Sequence, residues 1–444
     1  MDGHPSKAEI LAALSLALDL VEGQPEGHAV RTCAIALKLA DLIGFNEFER
    51  QDVYYAAILK DSGCSNNSVR IQKIFGGDEF ISKRAVKTVD WTSPLASIRF
   101  AFEYTERGNG WGAKLRRMAA NIGPPNAVMN QVTLARCTRG AMIARKLGFG
   151  ETVAEAVHQL DEHWDGKGSP HGIKGRDLNP VGQLICLAQT AEVFAVTYGI
   201  PAAMEMVRER SGRWFDPELA RAFLSLEEDT AFWNAFGAAH YRGIVPPGLR
   251  DAAAEADIDA ICEAFAMIVD AKSSFTAEHS ARVAGYAAGI GSQMGLGNDR
   301  MSLLTRAGLL HDIGKLAVST AILEKPGKLD EAEFAAVQSH PMHSFVILQR
   351  IAGFDSIAEI ASGHHERLDG KGYWQGLGAD HLPLETRIMT VADVYDALSA
   401  KRPYREALPY EKCRAIMDAD AGTAFDPECL EALWQSLESV PLAA

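Results

Sequence analysis

The second half of the chain concentrates residues that could do metal chemistry. Seven of the thirteen histidines fall between positions 279 and 381. Five of them sit beside features that suggest ligation: His279, His311, His340 and the pair His364-His365. Two aspartates join them, Asp312 and Asp393. His311 and Asp312 lie in Gly-Leu-Leu-His-Asp-Ile-Gly-Lys (308–315), just after an apolar helical stretch, Met301 to Leu310. Neighbours on a helix diverge by about 100°, so both can reach one ion only where the helix opens onto a pocket. Gly314 suits the turn that follows, and Lys315 puts a cation beside the site. Five imidazoles and two carboxylates exceed the needs of one ion and suit two that share a carboxylate and a water. A set without thiolate favours Fe, Mn, Ni, Co or Zn. Two such ions can lower the pKa of a water, polarise phosphoryl oxygens and stabilise charge on a leaving oxygen.

The elements that must position these residues are helical. Ala8–Val21, Val30–Leu42 and Ile258–Ala271 repeat apolar residues every three or four positions. Asp330 with Glu333 reads as a capping box. Asp216-Pro217 and Asp426-Pro427 read as N-caps with proline at the first helical position. Alternating strand patterns are scarce, so the expected fold class is all-α. The stretch 237–256, with Gly237, Gly243, Pro246, Pro247 and Gly248, cannot hold one helix. It divides the chain into 1–240 and 250–444.

The two halves read as diverged copies. Glu26-Gly-His28-Ala-Val-Arg31 matches Ala277-Glu-His279-Ser-Ala-Arg282, and Lys60-Asp61-Ser-Gly63 matches His311-Asp312-Ile-Gly314. Asp165-Gly-Lys-Gly168 matches Asp369-Gly-Lys-Gly372, and Phe215-Asp-Pro-Glu218 matches Phe425-Asp-Pro-Glu428. Four matches in one order point to duplication. Asp61 and Asp165 are 104 residues apart but Asp312 and Asp369 only 57, so the first copy carries about 47 extra residues, expected within 65–130.

The totals exclude some classes. A net charge of −14 argues against a basic face for polymeric nucleic acid. No apolar run reaches the roughly 18 residues of a spanning helix, and the N-terminus lacks a signal-peptide layout, so no membrane partner is expected. Seven scattered cysteines without Cys-x-x-Cys suit free thiols in a reducing compartment, which makes the cytoplasm the simple inference.

From about Asp270 to Asp426 the chain resembles the HD-GYP family of HD-superfamily metal-dependent phosphohydrolases. The motifs that carry the likeness are HDIGK at 311–315, HHERLDGKGY at 364–373, DVYDAL at 393–398 and Arg402-Pro403-Tyr404-Arg405. The resemblance implies tandem HD-fold helical domains and two divalent transition-metal ions, Fe or Mn first, with Ni, Co or Zn as other candidates. It implies hydrolysis of a cyclic dinucleotide, cyclic di-GMP or 3′3′-cyclic GMP-AMP, to the linear 5′-phosphorylated dinucleotide in bacterial second-messenger signalling. Its metal ligands would be His279, His311, Asp312, His340, His364, His365 and Asp393, with Asp312 as the bridge. Asp312 and Lys315 would carry catalysis, and Lys315, Asp396, Arg402 and Arg405 would face the nucleotide. Two departures stand out. Members with three metals have a Glu four residues before the first His, and here that position is Phe275. The name-giving Gly-Tyr-Pro reads Gly372-Tyr373-Trp374.

The first half keeps His28 and Asp61 but has Lys60 for His311, Cys64 for Lys315, Leu160 and Asp161 for the histidine pair, and Gln189 for Asp393. Such a set cannot rebuild an imidazole-rich dimetal site. This half reads as a degenerate HD-like domain that serves as a dimerisation platform, a ligand sensor or a clamp on the active half. The Asp-Gly-Lys-Gly segments persist in both halves and read as turns, not phosphate cradles. Two other functions remain open at this level: an HD phosphohydrolase on other nucleotides, 5′-nucleotidase-like, and a non-enzymatic cyclic-dinucleotide receptor or adaptor.

Overall fold

The computed structural model describes residues 4–107, 110–120, 125–273, 278–401 and 406–439. Phe275, Arg402 and Arg405 lie outside the described residues. Every named element among the described residues is an α-helix or a 3-10 helix, and β pairing is limited to isolated bridges. The chain divides into two compact units. The first holds 1–257 with 319–321, the second 258–318 with 322–444.

In the first unit the helix Pro180–Tyr198 is central. Leu184, Ile185, Leu187, Ala188 and Ala191 on it are wholly buried. By length and composition this helix could cross a membrane, but it is mostly buried within the unit, as core helices are. It packs against His28–Leu42, Glu151–Gln159 and Ile200–Arg210.

In the second unit the corresponding helix is Leu384–Ser399, with Ile388, Met389, Val391 and Ala392 buried. It packs on His279–Gln293. That helix in turn lies tightly on Asn298–Leu310, because both are small where they meet: a Cβ on Gly308 would come within 2.8 Å of Ala284 Cα. The close approach brings the start of one helix, His279, beside the end of the other, His311.

Between Asn67 and Pro125 the first unit has the helices Ser68–Phe75, Glu79–Val86, Pro94–Tyr104 and Trp111–Ala120, where its additional residues fall. Ile71, Phe75 and Phe100 of this segment pack with Val132 of the following helix, Pro125–Lys146, as a small core.

Candidate metal centre

The helix Asn298–Leu310 ends at the functional pair. His311 is its C-cap, and Asp312 opens a 3-10 turn, Ile313–Ala317. Ser344 stitches that turn to the helix His340–Leu348. Its hydroxyl donates to the His311 carbonyl (2.7 Å) and accepts from Gly314 N–H (2.9 Å). Only glycine fits at 314, since a Cβ there would lie 2.0 Å from the His340 carbonyl oxygen. The turn therefore fixes His311, Asp312 and His340 together.

All seven expected ligands converge, and six are less than one-tenth exposed; His365 is half-buried. Asp312 faces two groups at once. One oxygen lies 3.3 Å from His279 Nε2 and 3.5 Å from His311 Nε2. The other lies 3.3 Å from His340 Nε2 and 3.8 Å from His364 Nε2. Asp393 also spans, with one oxygen 3.4 Å from His279 Nε2 and the other 3.9 Å from His365 Nδ1. Two clusters result, His279–His311–Asp312 and His340–His364–His365, each compact enough to hold one cation.

Tautomers decide whether the clusters fit metal. Nδ1 of His311 faces the Gly308 carbonyl (2.8 Å), Nδ1 of His340 the Val337 carbonyl (2.6 Å) and Nδ1 of His364 the Ala361 carbonyl (2.6 Å). A carbonyl only accepts, so each Nδ1 must donate, and each neutral ring then presents a lone pair at Nε2. His340 and His364 point these lone pairs at each other across 3.1 Å. Two acceptors at that distance repel unless a cation lies with them. Nε2 of His311 and one oxygen of Asp312 are buried without a hydrogen-bond partner. Metal ions satisfy all of these atoms, so the residues fit the group.

Charge states agree. Burial and neighbouring imidazoles push His364 well below its usual pKa; burial also lowers His311 and takes His365 down to about 3. These three are neutral near pH 7. Burial raises Asp312 and Asp393, but Lys315 with the histidines outweighs it at Asp312 and the histidines alone at Asp393, holding both well below the ordinary carboxylate range. Burial opposes protonation of His279 too, yet Asp312, Asp393 and Asp396 hold it well above 6.5.

Lys315 is partly exposed, with Nζ 2.5 Å from Asp312 Oδ2. Asp396 sits behind His279. It is wholly buried, and its oxygens accept from His279 Nδ1 (2.7 Å), Arg282 Nε (2.6 Å) and Arg282 Nη2 (3.0 Å). Both oxygens are engaged within the unit, an arrangement that orients the His279 ring. Arg282 was missed in the sequence because surface arginines give no signal of a buried partner.

Glu366 was also missed. It is buried and accepts from the N–H groups of Gln375, Gly376 and Leu377 (2.8, 3.1 and 3.0 Å), tying down the loop that follows the histidine pair. Tyr373 on that loop packs against the His365 ring, with centroids 4.6 Å apart. The repeat held the signal: Glu162, three residues before Asp165, ties His171, Gly172 and Ile173 in the same way. The Asp-Gly-Lys-Gly segments are turns in both units. Asp369 accepts from Lys371 N–H and Asp165 from Lys167 N–H, and Gly370 and Gly166 take positive φ.

The HD-domain family model matches residues 111–219 and 263–429, one stretch in each unit. The chain belongs to the HD-domain family, in its HD-GYP branch. The chain of this HD-GYP protein is 41% identical over 438 residues to 3′3′-cGAMP-specific phosphodiesterase 3 of Vibrio cholerae, covering 98% of this chain and 95% of that one. It is 36% identical to phosphodiesterase 1 of the same name and organism, over 76% of this chain and 80% of the relative. Among solved structures, a crystal structure of the cyclic GMP-AMP-specific phosphodiesterase V-cGAP3 of V. cholerae matches with a TM-score of 0.67 and 37% identity, covering 99% of both chains.

The first unit repeats the frame with other side chains. His28 Nδ1 pairs with Glu192, which also accepts from Arg31 Nε (2.8 Å), as Asp396 does for His279 and Arg282. A Cβ on Gly63 would lie 2.0 Å from the Arg136 carbonyl, which puts Arg136 at the place of His340. Lys60 reaches His28 Nε2 (2.9 Å) and pairs with Asp61.

Proposed function

We propose that the protein is a metal-dependent phosphodiesterase that opens a cyclic dinucleotide, with 3′3′-cyclic GMP-AMP as the preferred substrate and cyclic di-GMP as the second. The names of the relatives that match nearly the whole chain support the substrate class. The observation that carries the reaction type is the Asp312 carboxylate, one oxygen toward each histidine cluster. His279, His311, His340, His364, His365, Asp312 and Asp393 would hold two divalent ions, Fe or Mn first as the family resemblance implies, with Ni, Co or Zn fitting the same donors. When bound, such ions make hydroxide available at neutral pH and draw charge from the phosphoryl oxygens.

The chain supplies the rest. Asp396 and Arg282 fix the His279 ring and its tautomer. Glu366 holds the loop beside His365. The Lys315 ammonium, at the open side, can bond a phosphoryl oxygen and offset charge that grows as the P–O3′ bond breaks. The water oxygen ends on the new 5′-phosphate, and its proton ends on the departing 3′ oxygen. With Phe275 in place of the Glu of three-metal members, the reaction stops at the linear dinucleotide. The first unit, with Lys60, Leu160 and Gln189 at ligand positions, is non-catalytic. Seven free, buried thiols support a cytoplasmic setting.

The test is turnover of cyclic GMP-AMP and cyclic di-GMP in parallel by Fe(II)- or Mn(II)-loaded protein, beside Asp312→Ala. Turnover lost in the variant is expected, with faster opening of cyclic GMP-AMP. Tight binding without turnover, with metal shown to be present, would overturn the enzyme in favour of a receptor.

A further inference from the structure

The first unit encloses a cavity of about 270 Å³ at the place that holds the histidines in the second. Its polar wall is built on former ligand positions: Arg136 for His340, Asp161 for His365 and Gln189 for Asp393. Its other wall comes from the segment that this unit has in excess. Phe75, Val86 and Trp91 make that wall apolar, and Lys83 and Lys87 add two ammonium groups.

Three features of the cavity point to an anion. Four cationic side chains line it, Lys83, Lys87, Arg136 and the exposed Lys167; Glu22 pairs with Lys83 and Lys87, Asp61 with Lys87, Asp161 with Arg136 and Asp165 with Lys167, and all four cations keep a face on the cavity. Next, polar atoms on four of its lining residues are buried without a hydrogen-bond partner: Arg136 Nε, Trp214 Nε1, His163 Nδ1 and Gln189 Oε1. Such orphans are rare in folded proteins, and here they gather around one space. Two of them, the Arg and Trp nitrogens, can only donate.

The third feature concerns the ion position. Glu22, Asp61 and Cys64 converge as a metal cluster would, but Lys87 Nζ lies 3.3 Å from Glu22 and 3.1 Å from Asp61. Lys60 pairs with Asp61 from the other side. Ammonium groups thus stand where cations would bind, and an anion in this cavity needs no metal.

We propose that this cavity is a metal-independent binding site for one nucleotide-sized ligand, a phosphate ester carrying an aromatic base. The phosphate would meet Arg136 and Lys87, and the base would lie along Phe75 and Trp91. The volume stands near the low end of the roughly 300–1,000 Å³ of small-molecule pockets, which suits one nucleotide and not two. The lysines offer charge without an activated water, so binding here would not lead to hydrolysis. The site stands apart from turnover in the second unit.

The experiment uses the full chain carrying Asp312→Ala, in EDTA, with GMP and AMP as probes in titration calorimetry. One saturable site per chain is expected, displaced by inorganic phosphate at higher concentration. Arg136→Gln should weaken binding by about 10- to 100-fold, the range of one charge-assisted hydrogen bond. Lys167→Glu, at the exposed rim, gives a second variant that leaves the buried network intact and should weaken binding by severalfold. Lys315→Ala, in the other unit, should leave it unchanged. Absence of saturable binding, equal binding of guanosine and GMP, or loss through Lys315 and not through Arg136 and Lys167 would each overturn the proposal.

Discussion

Replacing Asp396 by Asn tests how the metal centre is held. Asp396 accepts from one nitrogen of His279 and from two of Arg282, and it is wholly buried. Asn offers one acceptor and adds a donor, so it can serve only one partner. If its oxygen stays with Arg282, its NH₂ faces His279 Nδ1–H; the ring must then move its proton to Nε2, where a metal needs a lone pair. If its oxygen stays with His279, its NH₂ faces the guanidinium. Arg282 is about one-third exposed and can swing away, so this second arrangement costs less, but the negative charge behind His279 is gone either way. Loss of a partner behind a ligating histidine typically weakens metal binding by about 10- to 100-fold, or about 1.4–2.8 kcal/mol. Metal affinity would be measured by competition with a chelating dye, and kcat and KM at saturating metal. The expected variant binds metal more weakly and regains most of its kcat when metal is raised, with KM little changed. A variant with unaltered metal affinity and a raised KM would refute the reasoning, and would return Asp396 to the nucleotide-facing role that the family resemblance implies.

Other consequences follow from the same geometry. Gly314→Ala places a Cβ 2.0 Å from the His340 carbonyl and 2.6 Å from Ser344 N; it should cost about 1–3 kcal/mol in a urea melt and lower kcat by about 10²-fold through displacement of His340. Gly63→Ala, with the same clash against Arg136, sets the cost of the strain alone. In metal-free protein His279 is protonated well above pH 6.5, so metal must displace that proton. Calorimetry in buffers of different ionisation enthalpy should find about one proton released near pH 7, with affinity falling as pH falls; the stability His279 gives the metal-free fold is complete below its unfolded pKa and lost as pH rises through the folded one. Lys60→Met leaves the buried Asp61 with Lys87 as its one ammonium partner among the described residues; breaking a buried pair costs about 3–5 kcal/mol, the remaining lysine should hold the loss near the lower figure, and hydrogen exchange in the helix His28–Leu42 would report it.

Much of the centre was legible because its chemistry constrains residue type. An imidazole or carboxylate at a ligand position cannot be exchanged without losing the ion, so His311-Asp312 and His364-His365 stand out as pairs. The helices were legible for a similar reason. Apolar spacing and caps such as Asp330 with Glu333 are local, and that box is formed. What stayed hidden depends on contacts distant in sequence. Nothing near Asp396 in the sequence shows that His279, 117 residues away, takes up its oxygen. Arg136 could not be aligned with His340 by type, since one is a cation and the other a ligand. Only the glycine packed beneath each carbonyl relates them.

The two units together say what the frame requires and what the chemistry adds. Both keep a histidine at the start of a helix, a carboxylate–arginine pair behind it, an aspartate shortly before a 3-10 turn, a glycine under the facing helix, and a glutamate that ties the next loop. These are shared because they hold backbone in place whether or not an ion is present. What differs is the means of balancing a buried aspartate. In the second unit Asp312 stands among histidines that are mostly neutral, and divalent ions can balance it. In the first, Lys60 and Lys87 bring ammonium groups to Asp61. A buried carboxylate without a partner costs several kcal/mol, so loss of the ions and gain of the lysines must go together. Lys87 comes from the segment that the second unit lacks, next to the helix Glu79–Val86. Asp61 is therefore balanced from two places, by Lys60 at the position of His311 and by Lys87 from the additional segment.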